Sequence, residues 1–330
     1  MEGRDDRITM RFMSAPADSA LDGHSITAGS VMEWIDKAAY ACAAGWAGTY
    51  CVTAYVGNVF HARRIHPGDL VEVQARVCHT GRTTMHVSVL VSSCDPATRE
   101  FEPATTCVLV FVAKDVDGRP TPVQPWVPRS QADRALSDNV EARTPIRAQI
   151  RQLFADEPFP DAGLAPRTTM RFMVPPAVVN WGGVAHGGTV MRWMDEAGYA
   201  CAAAWARDGA ADPGTRSAAI GVYSGEVNFI APLRIGDLVQ LDARLLRTTD
   251  HGMHVLVRVL QSDPRIPEDL SLTAQCMSVF VVPGPAGESL PARPWHPTDP
   301  TDLRLDALAR EVLELRRAIL PIPPELLTAR

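Results

Sequence analysis

TMRFM at Thr9 returns as TMRFM at Thr169, and the blocks that follow it return in the same order. WIDKAAYACAAGWA from Trp34 becomes WMDEAGYACAAAWA from Trp193. GDLV at Gly68 recurs at Gly236, MHV at Met85 recurs at Met253, and CVLVFV at Cys107 is echoed by CMSVFV at Cys276. A Pro-Trp pair closes each copy, Pro125-Trp126 and Pro294-Trp295. An unpermuted series of this kind is a tandem duplication. The 330 residues therefore hold one fold written twice, each copy having the size of an ordinary domain. We read residues 5–127 as the first unit and 165–297 as the second. Between them, 128–164 form a polar connector with a short amphipathic helix in TPIRAQIRQLFA. Residues 298–330 form a C-terminal amphipathic helix, with Leu305, Leu308, Val312, Leu315 and Ile319 at helical spacing for packing or subunit contact.

Within one copy, a short strand is followed by one long helix, expected at Thr27–Trp46 and Gly187–Trp205. Several strands come next, and the alternation in LVEVQARV and MHVSVLV is that of half-buried strands. One helix followed by meandering strands predicts an α+β unit with an antiparallel sheet wrapped around its helix. No phosphate-binding glycine motif follows a strand.

Composition narrows the function classes. A net charge of -6 with 21% charged residues argues against a nucleic-acid-binding surface. The longest apolar runs, such as CVLVFVA, are strand-sized, so no membrane span is expected, and the charged start MEGRDDRITM has no secretory apolar region. The cysteines include Cys42 and Cys201 in helical patterns and Cys107 and Cys276 in strand patterns. They read as small buried hydrophobes in a reducing compartment, the cytoplasm, and neither as a disulfide frame nor as a metal site.

The helix AGSVMEWIDKAAYACAAGWA is apolar nearly all round and so must be buried. Yet it carries Asp36, and its partner helix carries Asp195 at the equivalent position. A buried carboxylate is costly unless backbone amides or a strand hydroxyl bond it, or it faces a cleft. Just before the second helix stands NWGGVAHGG. There His186 and Asn180 approach a terminus whose bare Gly187 and Gly188 amides, at the positive end of the helix dipole, can stabilise an oxyanion.

At these residues the chain resembles the hotdog-fold acyl-CoA thioesterases, the acyl-CoA hydrolase family whose members often fuse two hotdog units. Asn180, Gly183, His186-Gly187-Gly188 and Met194-Asp195-Glu196 follow the family pattern, and Phe229, Pro232, Gly236 and Asp237 match its second motif. The resemblance implies two hotdog units paired into one continuous sheet with the helices on one side. It places the sites at the pseudo-twofold interface, each taking the Asn and His-Gly-Gly loop from one unit and the helical Asp from the other. It also implies acyl-CoA as partner, no cofactor beyond the CoA of the substrate, and further assembly into homo-oligomers.

The copies are unequal. Counted back from the helix, Asn180 corresponds to Leu21, Gly183 to His24, and His186-Gly187-Gly188 to Thr27-Ala28-Gly29. Cross-pairing therefore gives one complete set, Asp36 with Asn180, His186, Gly187 and Gly188. The other set, Asp195 with Leu21 and Thr27, is depleted. We expect one competent hydrolytic site. In it Asp36 serves as general base on water, the alternative role being a nucleophile that forms a mixed anhydride. Asn180 serves as orienting group, a Gly187 or Gly188 amide as oxyanion donor, and His186 mainly as a loop-positioning residue. Lys37, one residue beyond Asp36, should point elsewhere. Cations for the CoA phosphates are expected among Arg63, Arg64, Arg82, Arg216 and Arg234. The alternatives are a non-catalytic acyl-CoA-binding sensor or scaffold on the same fold and, with less support from the motifs, a hydratase.

Overall fold

A computed structural model describes residues 5–20, 24–180, 182–207, 219–284 and 288–328. Leu21 and Arg216, two of the expected site residues, lie outside them.

The first half contributes β1 (Arg7–Met13), α1 (Ala28–Ala47), β2 (Cys51–Val56), β3 (Val59–Phe60), β4 (Leu70–Thr80), β5 (Thr84–Cys94) and β6 (Glu102–Ala113). After α2 (Gln131–Asp156), the second half repeats the plan. Its elements are β7 (Arg167–Met173), α3 (Gly187–Arg207), β8 (Ile220–Phe229), β9 (Leu238–Thr248), β10 (Met253–Ser262), β11 (Ser271–Pro283) and β12 (Ser289–Leu290). The chain ends with α4 (Pro300–Arg317) and α5 (Pro324–Thr328). The strands form one antiparallel sheet in the order β1-β4-β5-β6-β2-β8-β11-β10-β9-β7, with β3 paired to β8 and β12 to β11. The order reads the same from either edge. The seam between the halves is the β2–β8 pair, Tyr55 opposite Asn228 and Val56 opposite Val227, continued by Val59 opposite Ser224 and Phe60 opposite Tyr223.

Both long helices lie where the sequence puts them. Thr27 caps α1, its hydroxyl accepting from the Ser30 amide, and Gly48 ends the helix in the left-handed region at φ 69°. Helices α1 and α3 pack against each other as well as against the sheet. They can do so because a Cβ at Gly188 would come within 2.9 Å of Glu33 Cα, and one at Gly29 within 2.9 Å of Arg192 Cα. The two glycines thus mark equivalent points of a backbone-close crossing. One core of Val, Ala, Met and Ile side chains runs through both halves, with Ile35, Val87, Met191 and Phe280 fully shielded.

The connector departs from expectation. Its helix is not short: α2 spans Gln131–Asp156, begun by a Ser130–Asp133 capping box, with Pro145 inside it. The proline, a natural first-turn residue, suggested a start near Thr144. It lies on the exposed side of a helix that is fixed by burial of Leu136, Val140, Ile150 and Phe154. Helices α2 and α4 are themselves equivalent. Arg76 on β4 pairs with Asp133 of α2, and Arg244 on β9 pairs with Asp302 of α4 at 2.5 Å. The expectation of helices on one side holds for α1 and α3 alone, because α2 and α4 lie over the opposite face of the sheet. The apolar stripe of α4 is used within the chain: Leu305, Leu308 and Val312 pack with Ile150, Phe154 and Leu246, and Leu315 and Ile319 border them.

All seven cysteines are free and buried. No helix among the described residues is long and apolar enough to cross a membrane.

Candidate functional site

Asp36 sits in the middle of α1, almost fully buried. The hydroxyl of Thr53, on β2, donates to its Oδ1 at 2.8 Å, and the amide of Gly188, in the first turn of α3, donates to its Oδ2 at 2.8 Å. The two ways of keeping an aspartate inside an apolar helix, a strand hydroxyl and a backbone amide, are therefore used together, and the amide comes from the other half. Burial pushes the Asp36 pKa up, opposed by the Thr53 and Gly188 hydrogen bonds and by the nearby His186 ring. A carboxyl so poised is a stronger base than an exposed aspartate, and the helix N-terminus beside it favours its charged form.

Asp36 lines a cavity of about 370 Å³ whose wall also includes Asn180, His186, Gly187, Thr53 and Lys114. The NWGGVA segment is a tight loop. The Asn180 amide donates to the Val184 carbonyl at 2.8 Å, and Gly183 turns the chain at φ 76°. Asn180 Oδ1 accepts from the Gly182 amide at 2.9 Å and from the Tyr50 hydroxyl at 3.2 Å. Its carbonyl side is thus tied to the loop and to the first half. The His186 ring meets the edge of Tyr40 at 6.4 Å between centroids, and its amide is bound by the Val178 carbonyl. Gly187 lies against the carboxylate: a Cβ there would stand 3.2 Å from Thr53 Oγ1 and 3.3 Å from Asp36 Oδ1.

The second carboxylate is built on the same plan but lacks a hydroxyl. The Gly29 amide donates to Asp195 Oδ2 at 2.9 Å. Gly221 holds the place of Thr53, since Thr53 pairs with Phe111 on β6 and Gly221 pairs with Phe280 on β11. A Cβ on Gly221 would meet Asp195 Oδ1 at 3.0 Å and the Ala28 methyl at 3.1 Å. The exchange is paired: Gly187 makes room for Thr53, whereas the methyl of Ala28 stands beside Gly221. Thr27 serves as helix cap. Burial pushes Asp195 up to about 6, with the Gly29 amide opposing.

The expected arginines scatter. Arg63 and Arg64 line a cavity of about 230 Å³ next to Gly221, on the Asp195 side, and Arg63 pairs with Glu102 at 2.5 Å. Arg82 lies in the exposed β4–β5 turn, its carbonyl bound by the Val123 amide. Arg234 is exposed beside Val184, to which it is bridged, at the rim of the Asp36 cavity. Lys37 pairs with Glu33 at 2.8 Å. The matched Gly236-Asp237 is a turn device: Gly236 has φ 82°, and Asp237 Oδ2 accepts from the Arg234 amide at 2.8 Å. Gly68 and Asp69 do the same in the first half.

Sequence reading missed Thr53, Tyr50 and Lys114. Thr53 carried a usable signal, because CVTAYV and AIGVYS are repeat partners in which Thr53 answers to Gly221. Tyr50 and Lys114 gave none, being joined to the site by folding alone.

A family model described as the thioesterase superfamily matches residues 25–99 and 182–268. An uncharacterized acyl-CoA thioester hydrolase of Bacillus subtilis is 32% identical over 120 residues, covering 36% of this chain and 70% of that protein. The acetyl-coenzyme A thioesterase of Rattus norvegicus is 23% identical over 273 residues, 78% of this chain, which spans only 47% of that longer protein. Among solved structures, an acyl-ACP thioesterase from Bacteroides thetaiotaomicron shares the fold at 10% identity and TM-score 0.50, over 85% of this chain and all of the other. The chain belongs to the thioesterase superfamily, with two hotdog units joined in one polypeptide.

Proposed function

We propose that the chain hydrolyses acyl-CoA to free acid and CoA at a single site, the cavity beside Asp36. The observation that carries this reading is the Asp36 carboxylate, held by Thr53 and Gly188 in a cavity wall shared with Asn180, His186 and Gly187.

In this mechanism Asp36 takes a proton from water, whose oxygen attacks the thioester carbonyl carbon. Negative charge gathers on the carbonyl oxygen as the tetrahedral intermediate forms. The Gly188 amide is already bonded to Asp36, so the donor at this oxygen is the Gly187 amide, assisted by the positive end of α3. The C–S bond then breaks. A thiol leaving group has a pKa near 8.5 in water, so the thiolate leaves with little acid help, and the proton held on Asp36 returns to it. Asn180 aligns the water through its NH2 group while its Oδ1 stays anchored. His186 holds the loop. No cofactor enters this scheme. Lys114 stands in the wall, and Arg234 is bridged to Val184, another wall residue. The Asp195 side, with Gly221 in place of a hydroxyl residue, is assigned no chemistry. We further propose a cytoplasmic, homo-oligomeric protein, the latter to be checked by light scattering.

The test is thiol release from a series of acyl-CoAs. Asp36→Asn should lower turnover by about 10²–10⁴, the usual weight of a general base, while Asp195→Asn keeps most of it. Equal losses in the two variants would overturn the single-site reading. CoA binding without thiol release by the parent chain would favour the sensor alternative.

A further inference from the structure

The sheet carries a second pair of cavities on its outer face, beneath α2 and α4. One, of about 900 Å³, is lined by Tyr55, His86 and Arg147; the other, of about 700 Å³, by Tyr223, His254 and Arg316. They are repeat partners. Arg147 stands 14 residues after Asp133 and Arg316 14 residues after Asp302, and each guanidinium lies over its tyrosine ring, at 3.8 and 4.8 Å.

Their charges differ. Arg316 is neutralised by the buried Glu226 at 2.8 Å. Asn58 holds the place of Glu226 in the first half, and no ion pair to Arg147 occurs among the described residues. Each cavity adds two more arginines. In the smaller, Arg143 donates to Asn139 Oδ1 at 3.1 Å and to the Leu320 carbonyl, and Arg317 is paired with Glu314 at 2.7 Å. In the larger they are Arg151 and Arg258, to which no ion pair occurs among the described residues. The repeat partner of Arg258 is Leu90. Glu157, the acid in that wall, is bound by Arg304 at 2.5 Å. Arg147 Nε, Arg258 Nε and His86 Nδ1 are buried polar atoms without a hydrogen-bond partner.

This basic cavity adjoins the Asp36 cavity. Ala54, Phe229 and Ile230 line both, and they lie where the β2–β8 ladder stops beyond Tyr55–Asn228. We propose that the phosphate-bearing end of acyl-CoA is held here by Arg147, Arg151 and Arg258, while the thioester reaches Asp36 through the end of the seam. Guanidinium groups suit phosphate by geometry and charge. The inference rests on the proposed acyl-CoA hydrolysis.

Arg258→Leu, which installs the partner residue, and Arg147→Met, which keeps an apolar stem over Tyr55, are to be assayed on two substrates. One is acyl-CoA. The other is the same acyl group on N-acetylcysteamine, a thioester without phosphates. Each variant should raise KM for acyl-CoA about tenfold, the weight of one charge-assisted hydrogen bond, with kcat kept and no rise in KM for the phosphate-free thioester. Unchanged KM for acyl-CoA, or equal effects on both substrates, overturns the assignment. So does inorganic pyrophosphate altering cleavage of the phosphate-free thioester in the parent but not in the variants, which would mark a separate phosphate ligand. If the parent cleaves neither thioester, the hydrolysis reading fails on its own. Calorimetric titration of free CoA then decides the cavity: weaker binding to both variants supports it, and equal binding sinks it.

Discussion

Gly188 and Asp36 are 152 residues apart in the chain and meet at 2.8 Å, the amide of one half closing on the carboxylate of the other. The repeat partner of this bond, Gly29 to Asp195, is kept at 2.9 Å. Around these two matching bonds, the strand hydroxyl of Thr53 is present on one side alone.

Thr53→Val should therefore change the acid limb of the pH–rate profile. The hydroxyl bonds the ionised form of Asp36 and lowers its pKa. Without it, the pKa rises further. Since the base must be ionised to act, activity in the parent appears as pH climbs through a pKa above the ordinary aspartate range. In the variant that limb moves to higher pH, so that on the limb itself the rate falls about tenfold for the loss of one hydrogen bond to a charged group. An unshifted limb would remove Thr53 from the site.

Asp195→Asn should make the chain more stable. The folded-state pKa of about 6 lies above the ordinary aspartate value of about 3.9, so the native state disfavours the charged form. The parent's penalty is absent below pH 4, grows between pH 4 and 6, and is complete above. Two pK units correspond to about 3 kcal/mol at pH 7–8. Urea titrations of parent and variant at pH 7.5 and pH 4 check this: a gain at the higher pH should vanish at the lower.

Gly188→Ala and Gly29→Ala should both destabilise, by about 1–3 kcal/mol each, because either methyl would press on backbone of the opposing helix. Gly187→Ala meets only side-chain atoms of Thr53 and Asp36. Its melting temperature should stay near the parent's while thiol release falls. Equal melting losses in all three would mean that the Gly-Gly pair is packing alone.

Much of the molecule was legible beforehand for a physical reason. The duplication doubled every signal, so the buried helices and the strand alternation could be read from two texts of one fold, while the cross-pairing of Asp36 with the His186-Gly187-Gly188 loop came from the family resemblance. Thr53 was missed because a threonine on a half-buried strand is commonplace and gains meaning only from what crosses above it. Helix α2 was cut short because Pro145 looks like a beginning when its exposed setting is unknown. The outer cavities had no sequence signature at all, since Arg147 and Arg258 lie 111 residues apart and converge only once α2 is laid on the sheet.

Because each carboxylate is closed by the opposite half, the peptide link between the units also chooses their mate. Two front halves joined together would supply Asp36 and Thr53 but neither Asn180 nor His186. Two back halves would supply those and have Gly221 where the hydroxyl belongs. The full set exists only in the mixed couple, and a single polypeptide makes that couple at one-to-one ratio whenever it folds.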